Sequence, residues 1–182
     1  MTWAHTFLVL GAAFVAVFGA SAVTVFRSLL GAQFDLLPAL VVYVSLTSGL
    51  ATVALLAIAG GLWLDSLSAN PLGISVLPLF LVGWVINATR DLVLRDQTFA
   101  RWFLGLGASA CVPVLTMLLL LTTGHKPLLG WGTLWQIAVV SAVGGCATPV
   151  VFWVFERLQM ALVHGKTAES SFRPDREIRR GR

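Results

Sequence analysis

The sequence predicts an all-α protein, a polytopic bundle of transmembrane helices, and two observations carry that prediction. The first is composition. Of 182 residues, 58% are hydrophobic and 11% charged, against roughly 45–50% and about 25% in an ordinary globular domain. The second is placement. Of the 20 charged residues, 11 lie from Glu156 onward, leaving nine in the first 155 positions. A body so poor in charge has too little polar surface to face water, whereas hydrocarbon solvates it well. A soluble domain is thereby excluded. The length suits one transmembrane helical domain over 1–160, followed by a basic cytoplasmic tail over 161–182 that is too poor in large apolar side chains to fold.

The net charge of +4 does not point to a nucleic-acid partner. Seven of the 12 basic residues fall between Arg157 and Arg182, beyond the last apolar run, which is where a cytoplasmic exit carries them. The first span runs from Ala4 to Phe26, 23 residues without a charge. Ala20-Ser21-Ala22 resembles a signal cleavage site, but no Lys or Arg precedes the run and it is long for a signal peptide, so it is expected to stay as a span. Ala12, Ala16 and Ala20 form a small-residue stripe suited to close helix packing.

The second run, Leu36 to Leu64, holds 29 residues, about 43 Å as one helix. Hydrocarbon about 30 Å thick would demand a tilt beyond the usual range of about 0–40°. Thr47-Ser48-Gly49 could instead split it into a helical hairpin, with Asp35 and Asp65 at the outer ends of the two halves. Three further spans follow: Leu72 to Ala88, Trp102 to Thr122, and Leu134 to Phe155. Six spans place ten Lys and Arg residues in the cytoplasm and two outside; five spans place eleven and one. Both divisions satisfy the positive-inside rule, and both put the Asp65–Pro71 connection outside and the C-terminus in the cytoplasm.

Chemistry-bearing constellations are absent from the sequence. His5, His125 and His164 are isolated. Cys111 and Cys146 lie 35 positions apart inside apolar runs, so they are expected to be small buried hydrophobes. The two Gly-Ala-Ser-Ala tetrads, Gly19–Ala22 and Gly107–Ala110, lack a histidine that could activate their serines, and helix packing accounts for them better. No phosphate loop, metalloprotease or dinucleotide signature occurs. The expectation is a protein that is not an enzyme, with no catalytic, metal or cofactor residues. The most informative segment is Gly60 to Gly73. There Asp65 closes one apolar run, Pro71 opens the next at a favoured first-turn position, Asn70 is placed to cap it, and Gly73 permits close approach in its first turn. Asp65 is read either as a marker of the membrane interface or as an anchor that fixes the loop through backbone N–H groups or a partner cation.

That segment resembles the signature of the MreD family, integral membrane proteins that determine rod shape in bacteria. The family pattern is an apolar run containing glycine, then Leu-Asp, a short loop of small residues, and Leu-Gly opening the next helix. Gly61, Leu64-Asp65, Ser66 to Pro71 and Leu72-Gly73 match it. Phe34-Asp35 keeps the acidic position that starts the family's second helix but lacks its proline, although Pro38 follows. Pro149 inside the final span and Glu156-Arg157-Leu158 at its exit are similar to family members too. The likeness extends over about Ala4 to Gln159. It implies six helices with both termini cytoplasmic, hence a hairpin at 36–64, in the bacterial inner membrane. It also implies a non-enzymatic scaffold of the cell-wall elongation machinery, the elongasome, acting in cell shape and lateral peptidoglycan synthesis. The partners it implies are an MreC-like single-span protein, a RodA-type glycosyltransferase with its transpeptidase, an MreB-type filament indirectly, and membrane lipid. Its motif positions are Asp35, Asp65, Asn70, Pro71, Gly73 and Pro149. The rival reading is the substrate-binding membrane subunit of an energy-coupling-factor vitamin transporter, although the external loops are short and offer few polar groups.

Overall fold

The computed structural model describes residues 3–22, 35–68, 71–90, 98–124 and 130–170. Among these it forms six helices: α1 (Trp3–Ala22), α2 (Leu37–Thr47), α3 (Leu50–Leu67), α4 (Val76–Thr89), α5 (Thr98–Thr122) and α6 (Trp131–Ser170). Residues 1–151 make up one compact unit, and 152–182 a second, whose described part is the distal stretch of α6.

The long second apolar run is broken into α2 and α3 by two extended residues, Ser48 and Gly49. The two helices run antiparallel. Leu37 faces Gly60, each the same distance along the chain from the break, and a Cβ on Gly60 would stand 2.8 Å from Leu37 Cδ2. Apolar on every face, α2 behaves as such a helix must: Leu37 to Leu46 are all buried. It packs against α1, α3, α4 and α5 and is the centre of the bundle. Ser45 and Thr47 turn their hydroxyls back onto their own helix, Ser45 donating to Val41 O and Thr47 to Tyr43 O, both at 2.7 Å. The helix α4 sits in the groove between α2 and α3, where Gly83 brings its backbone close to Val41 and Val53.

Carbonyls at the end of a helix have no intrahelical partner, and in an apolar surrounding they must find one. At the tip of the α2–α3 hairpin they find it on α4. Asn87 Nδ2 donates to Ser45 O at 2.8 Å and to Ser48 O at 3.1 Å, and Arg90 Nη1 reaches Ser48 O at 3.5 Å. These donors explain why a chain with so few polar side chains can turn sharply at 48–49.

The pair α5 and α6 is held by small residues. Gly105 lies against Thr148 and Gly144 against Ser109, so closely that a Cβ on either glycine would overlap the facing side chain. Ala108 and Ser109, from the second Gly-Ala-Ser-Ala tetrad, are buried at this crossing. Four-residue spacing on both helices is the pattern that lets membrane helices approach through dispersion and weak polar contacts.

Three helical stretches are long and apolar enough to cross a membrane: Leu50–Leu67, Phe99–Thr122 and Trp131–Met160. The apolar stretches His5–Gly19, Leu37–Thr47 and Val76–Thr89 are shorter. With 11 residues, α2 is about 16 Å long, and it is covered by protein.

Several expected boundaries and faces are corrected. The first helix is described over Trp3–Ala22, and the expected remainder of its span, to Phe26, lies with residues 23–34 outside the described residues. Val9, Ala13 and Val17 are its buried residues, one position along from Ala12 and Ala16, which are partly exposed. The fourth helix begins at Val76, not Leu72, since Pro78 rather than Pro71 occupies its first turn. The last helix continues past 160 to Ser170; Met160-Ala161-Leu162 favours helix as strongly as the span before it. Residues 171–182 lie outside the described set. Cys111 and Cys146 are free and exposed rather than buried, on the outward sides of their helices.

Replacing Asn87 with Leu should leave the hairpin-tip carbonyls under-satisfied and lower unfolding stability by about 1–3 kcal/mol. Reversible unfolding in mixed micelles would measure it, and an unchanged midpoint would show that the tip does not depend on this side chain.

Candidate functional site

The sequence makes residues 65–75 a problem of backbone accounting. The segment leaves α3, turns, and enters α4 among apolar side chains, where an unpaired N–H is costly. The solution is one carboxylate. Asp65 lies in the last turn of α3, 1% exposed. Its Oδ2 accepts from the backbone N–H of Gly73 at 2.8 Å and of Ser75 at 3.1 Å, and its Oδ1 accepts from the Ser75 hydroxyl at 2.5 Å. The N–H of Ile74 donates to Pro71 O and that of Val76 to Gly73 O. Every N–H from Gly73 to Val76 thus has a partner, half of them supplied by Asp65.

Glycine at 73 is required by backbone conformation. Its φ is +90°, in the left-handed region that a Cβ disfavours. Nothing lies within 4 Å of where that Cβ would be, so the expected role in close approach is replaced by a conformational one. The close approach occurs at Gly61, where a Cβ would stand 2.9 Å from both Val76 N and Cα. Asp65 therefore reaches the start of α4 because Gly61, one turn earlier on α3, lets the two backbones meet.

The other expected positions are distributed unevenly. Pro71 is exposed and precedes the turn, five residues before α4, so it does not open that helix. Asn70 lies outside the described residues. Asp35 Oδ1 accepts from the N–H of Leu37 at 2.9 Å, capping α2 just ahead of Pro38 in its first turn. Burial raises its carboxyl to about 6, opposed by that hydrogen bond. Pro149 sits next to Thr148 at the tight α5–α6 crossing, away from the Asp65 turn, and frees the carbonyl of Gly145 within α6. In the C-terminal unit, the Arg157 guanidinium lies 5.6 Å from the centre of the Trp153 ring.

Sequence reasoning missed two features. One is Ser75, which supplies two of the three bonds to Asp65. Its signal was present: a serine directly before a run with proline in the first turn is a favoured helix start. The other is a cleft of about 400 Å³ beside the Asp65 turn. Asp35 and Pro38 from the start of α2 line it, with Leu64 and Ser68 from the end of α3, and Ser75. The facing walls come from α5, through Pro113, Thr116 and Met117, and from α6, through Thr133, Gln136 and Val140. The cleft gathers Asp35 and Ser75 at one end of the bundle; Pro149 is not part of it. Among the described residues no group of three His, Cys, Asp or Glu side chains is placed to hold a metal ion.

No family model, curated protein or solved structure matches this chain.

Asp65→Ala should cost about 3 kcal/mol of stability, because it strands two backbone N–H groups and a hydroxyl. Gly73→Ala should cost about 1 kcal/mol through its positive φ, and Gly73→Asn less. Chemical unfolding of the three variants in one detergent tests the order; equal losses at Gly73→Ala and Gly73→Asn would remove the conformational explanation.

Proposed function

We propose that this chain is a non-enzymatic scaffold subunit of the bacterial cell-wall elongation machinery, similar to MreD, acting in cell shape and lateral peptidoglycan synthesis. On this reading it is a multi-pass protein of the bacterial inner membrane, with six spans and both termini in the cytoplasm. The observation that carries the reading is the bond from Gly73 N–H to Asp65 Oδ2 at 2.8 Å. Leu64-Asp65 and Leu72-Gly73 are the two halves of the MreD-like pattern, and here each half has a physical reason for the other. Asp65 needs a backbone donor, and Gly73 turns its N–H inward by adopting a positive φ. The break at Ser48-Gly49 supports a hairpin within the long second run. Short helices such as α2 are tolerated in this scheme because protein, not lipid, surrounds them.

The partners on this reading are an MreC-like single-span protein, a RodA-type glycosyltransferase with its transpeptidase, and, through them, an MreB-type filament. Helix faces exposed to lipid would hold partner helices through packing and a few polar contacts.

A second reading is favoured by one observation, the cleft beside Asp65. A solute-binding subunit of an energy-coupling-factor transporter needs such a pocket, and the cleft falls within the usual volume range of roughly 300–1,000 Å³. Cross-linking in native membranes, mild-detergent purification and mass spectrometry separate the two. Recovery of an MreC-like protein or the wall-synthesis pair is expected; recovery of a coupling subunit with ATPases would overturn the scaffold reading. Reporters after Arg182 and at Ser48-Gly49 should report cytoplasm, and one near Asn70 the outside. Any reversal would sink the six-span arrangement.

A further inference from the structure

The cleft has a floor, two largely apolar walls and, at one end, a carboxylate beside hydroxyl groups. The floor follows from the α5–α6 register. Gly105 pairs with Thr148 and Ser109 with Gly144; continuing the same antiparallel register brings Pro113 opposite Val140 and Met117 opposite Gln136. All four of those residues line the cleft. The helices are therefore closed at the glycine crossing and open beyond it. Leu64, Val112, Met117 and Ile137 make the walls largely apolar.

At the Asp35 end the hydroxyl oxygens offer acceptors, while Gln136 on the facing wall carries an amide that both donates and accepts. The Ser75 hydroxyl already donates to Asp65 Oδ1, that of Ser68 to Asp65 O, and that of Thr116 to Val112 O. A hydroxyl has one proton to give and keeps lone pairs to accept with. Asp35 Oδ1 takes the Leu37 N–H, and Oδ2 has no partner among the described residues. Among the described residues no Lys, Arg or His lines the cleft. A carboxylate at a mostly apolar wall with no cation beside it is unfavourable until something brings positive charge or donors to it.

We propose that the cleft binds an organic ammonium compound, its apolar body between α5 and α6 and its protonated amine on Asp35, with the oxygens of Ser68 and Ser75 as further acceptors. Two sources share this chemistry: a free amine from the aqueous side, and the ethanolamine headgroup of a membrane lipid. The inference does not depend on the scaffold reading. Failure to recover wall-synthesis partners leaves it standing, and failure of ligand binding leaves the scaffold reading standing.

The full chain in phosphatidylcholine nanodiscs is the material for the test, with phenethylamine as the probe and 2-phenylethanol as its uncharged isostere. Ligand-observed NMR should show saturable binding of the amine, and the alcohol should bind at least about tenfold more weakly, because it cannot form the charge-assisted bond. Asp35→Asn should weaken the amine by about tenfold while keeping the melting temperature, since its amide oxygen still accepts from Leu37. Replacing part of the phosphatidylcholine with phosphatidylethanolamine distinguishes the sources. Displacement of the probe identifies a lipid headgroup as occupant, and unchanged probe binding identifies a free amine; both support the proposal. Equal binding of amine and alcohol, no binding of either, or full amine affinity in Asp35→Asn would overturn it. Should Asp35→Asn fail to fold, Met117→Trp fills the cleft without touching the charge, and undiminished amine binding to that variant overturns the proposal equally.

Discussion

Backbone satisfaction in an apolar medium is the constraint on which this structure depends, and Asp65 is where it is met most economically. Where α3 gives way to α4, Asp65 and Ser75 are buried, and the donors there must find partners within the protein. One carboxylate takes two N–H groups and a hydroxyl and so fixes both the height and the direction at which α4 begins. The remaining contacts of α4 follow from that start. Gly83 falls at the groove between α2 and α3, and a turn further on Asn87 and Arg90 reach the carbonyls at the hairpin tip. The helix α4 is thus pinned at both ends by side chain to backbone bonds, to α3 through Asp65 and to the C-terminal end of α2 through Asn87. The central helix α2 is enclosed along its length and bonded at its two ends, by Asp35 at Leu37 and by Asn87 at Ser45 and Ser48.

The second pair, α5 and α6, obeys a different logic. It has no buried charge at its crossing and relies on glycine and hydroxyl side chains to bring two backbones together. Such packing is strong only where the small residues are, and it stops when they stop. Beyond Ser109 the α5 side chains become Val112, Pro113, Thr116 and Met117, too large to continue the same approach, and Pro113 also removes one helical hydrogen bond. The cleft is therefore a consequence of where the small-residue pattern ends. Its polar rim is a consequence of the Asp65 turn, which commits the hydroxyl protons of Ser68 and Ser75 and leaves their oxygens as acceptors.

Much of this was legible in the sequence, and the parts that were not share a cause. Apolar runs and the Thr47-Ser48-Gly49 interruption locate helices and the break because they report transfer energies, which are local. The residues alone left Asp65 either a marker of the membrane interface or an anchor of the loop, and its bonds to Gly73 and Ser75 decide for the anchor. What hydropathy does not report is where a helix begins or ends when both sides of the boundary are apolar. Leu72 to Ser75 looked like helix for that reason, and only Pro78, unable to sit deep in a helix, marked Val76 as the start. The helix α6 shows the converse at its other end, since Ser170 lies well past the last strongly apolar residue. Which face of α1 is buried depended on the shape of a groove made by other helices. Ser75 and the cleft depended on long-range register, which no local pattern carries.

The Asp65 turn also limits how any partner could recognise this end of the bundle. The carboxylate is 1% exposed and its oxygens are committed inward. A partner that sensed Asp65 directly would have to break the bonds that position α4, which is too costly for a reversible contact. Recognition there would have to fall on what the turn presents. Leu67 and Leu72 are 42% and 74% exposed, and Ser66 and Pro71 are exposed beside them. The buried acidic residue and any contact surface at the same loop are therefore compatible only if the two tasks are divided. Asp65 sets the shape, and the neighbouring small and apolar side chains carry any contact. A substitution at Asp65 that weakened assembly would act through displaced neighbours, and one at Leu72 would act without changing the fold.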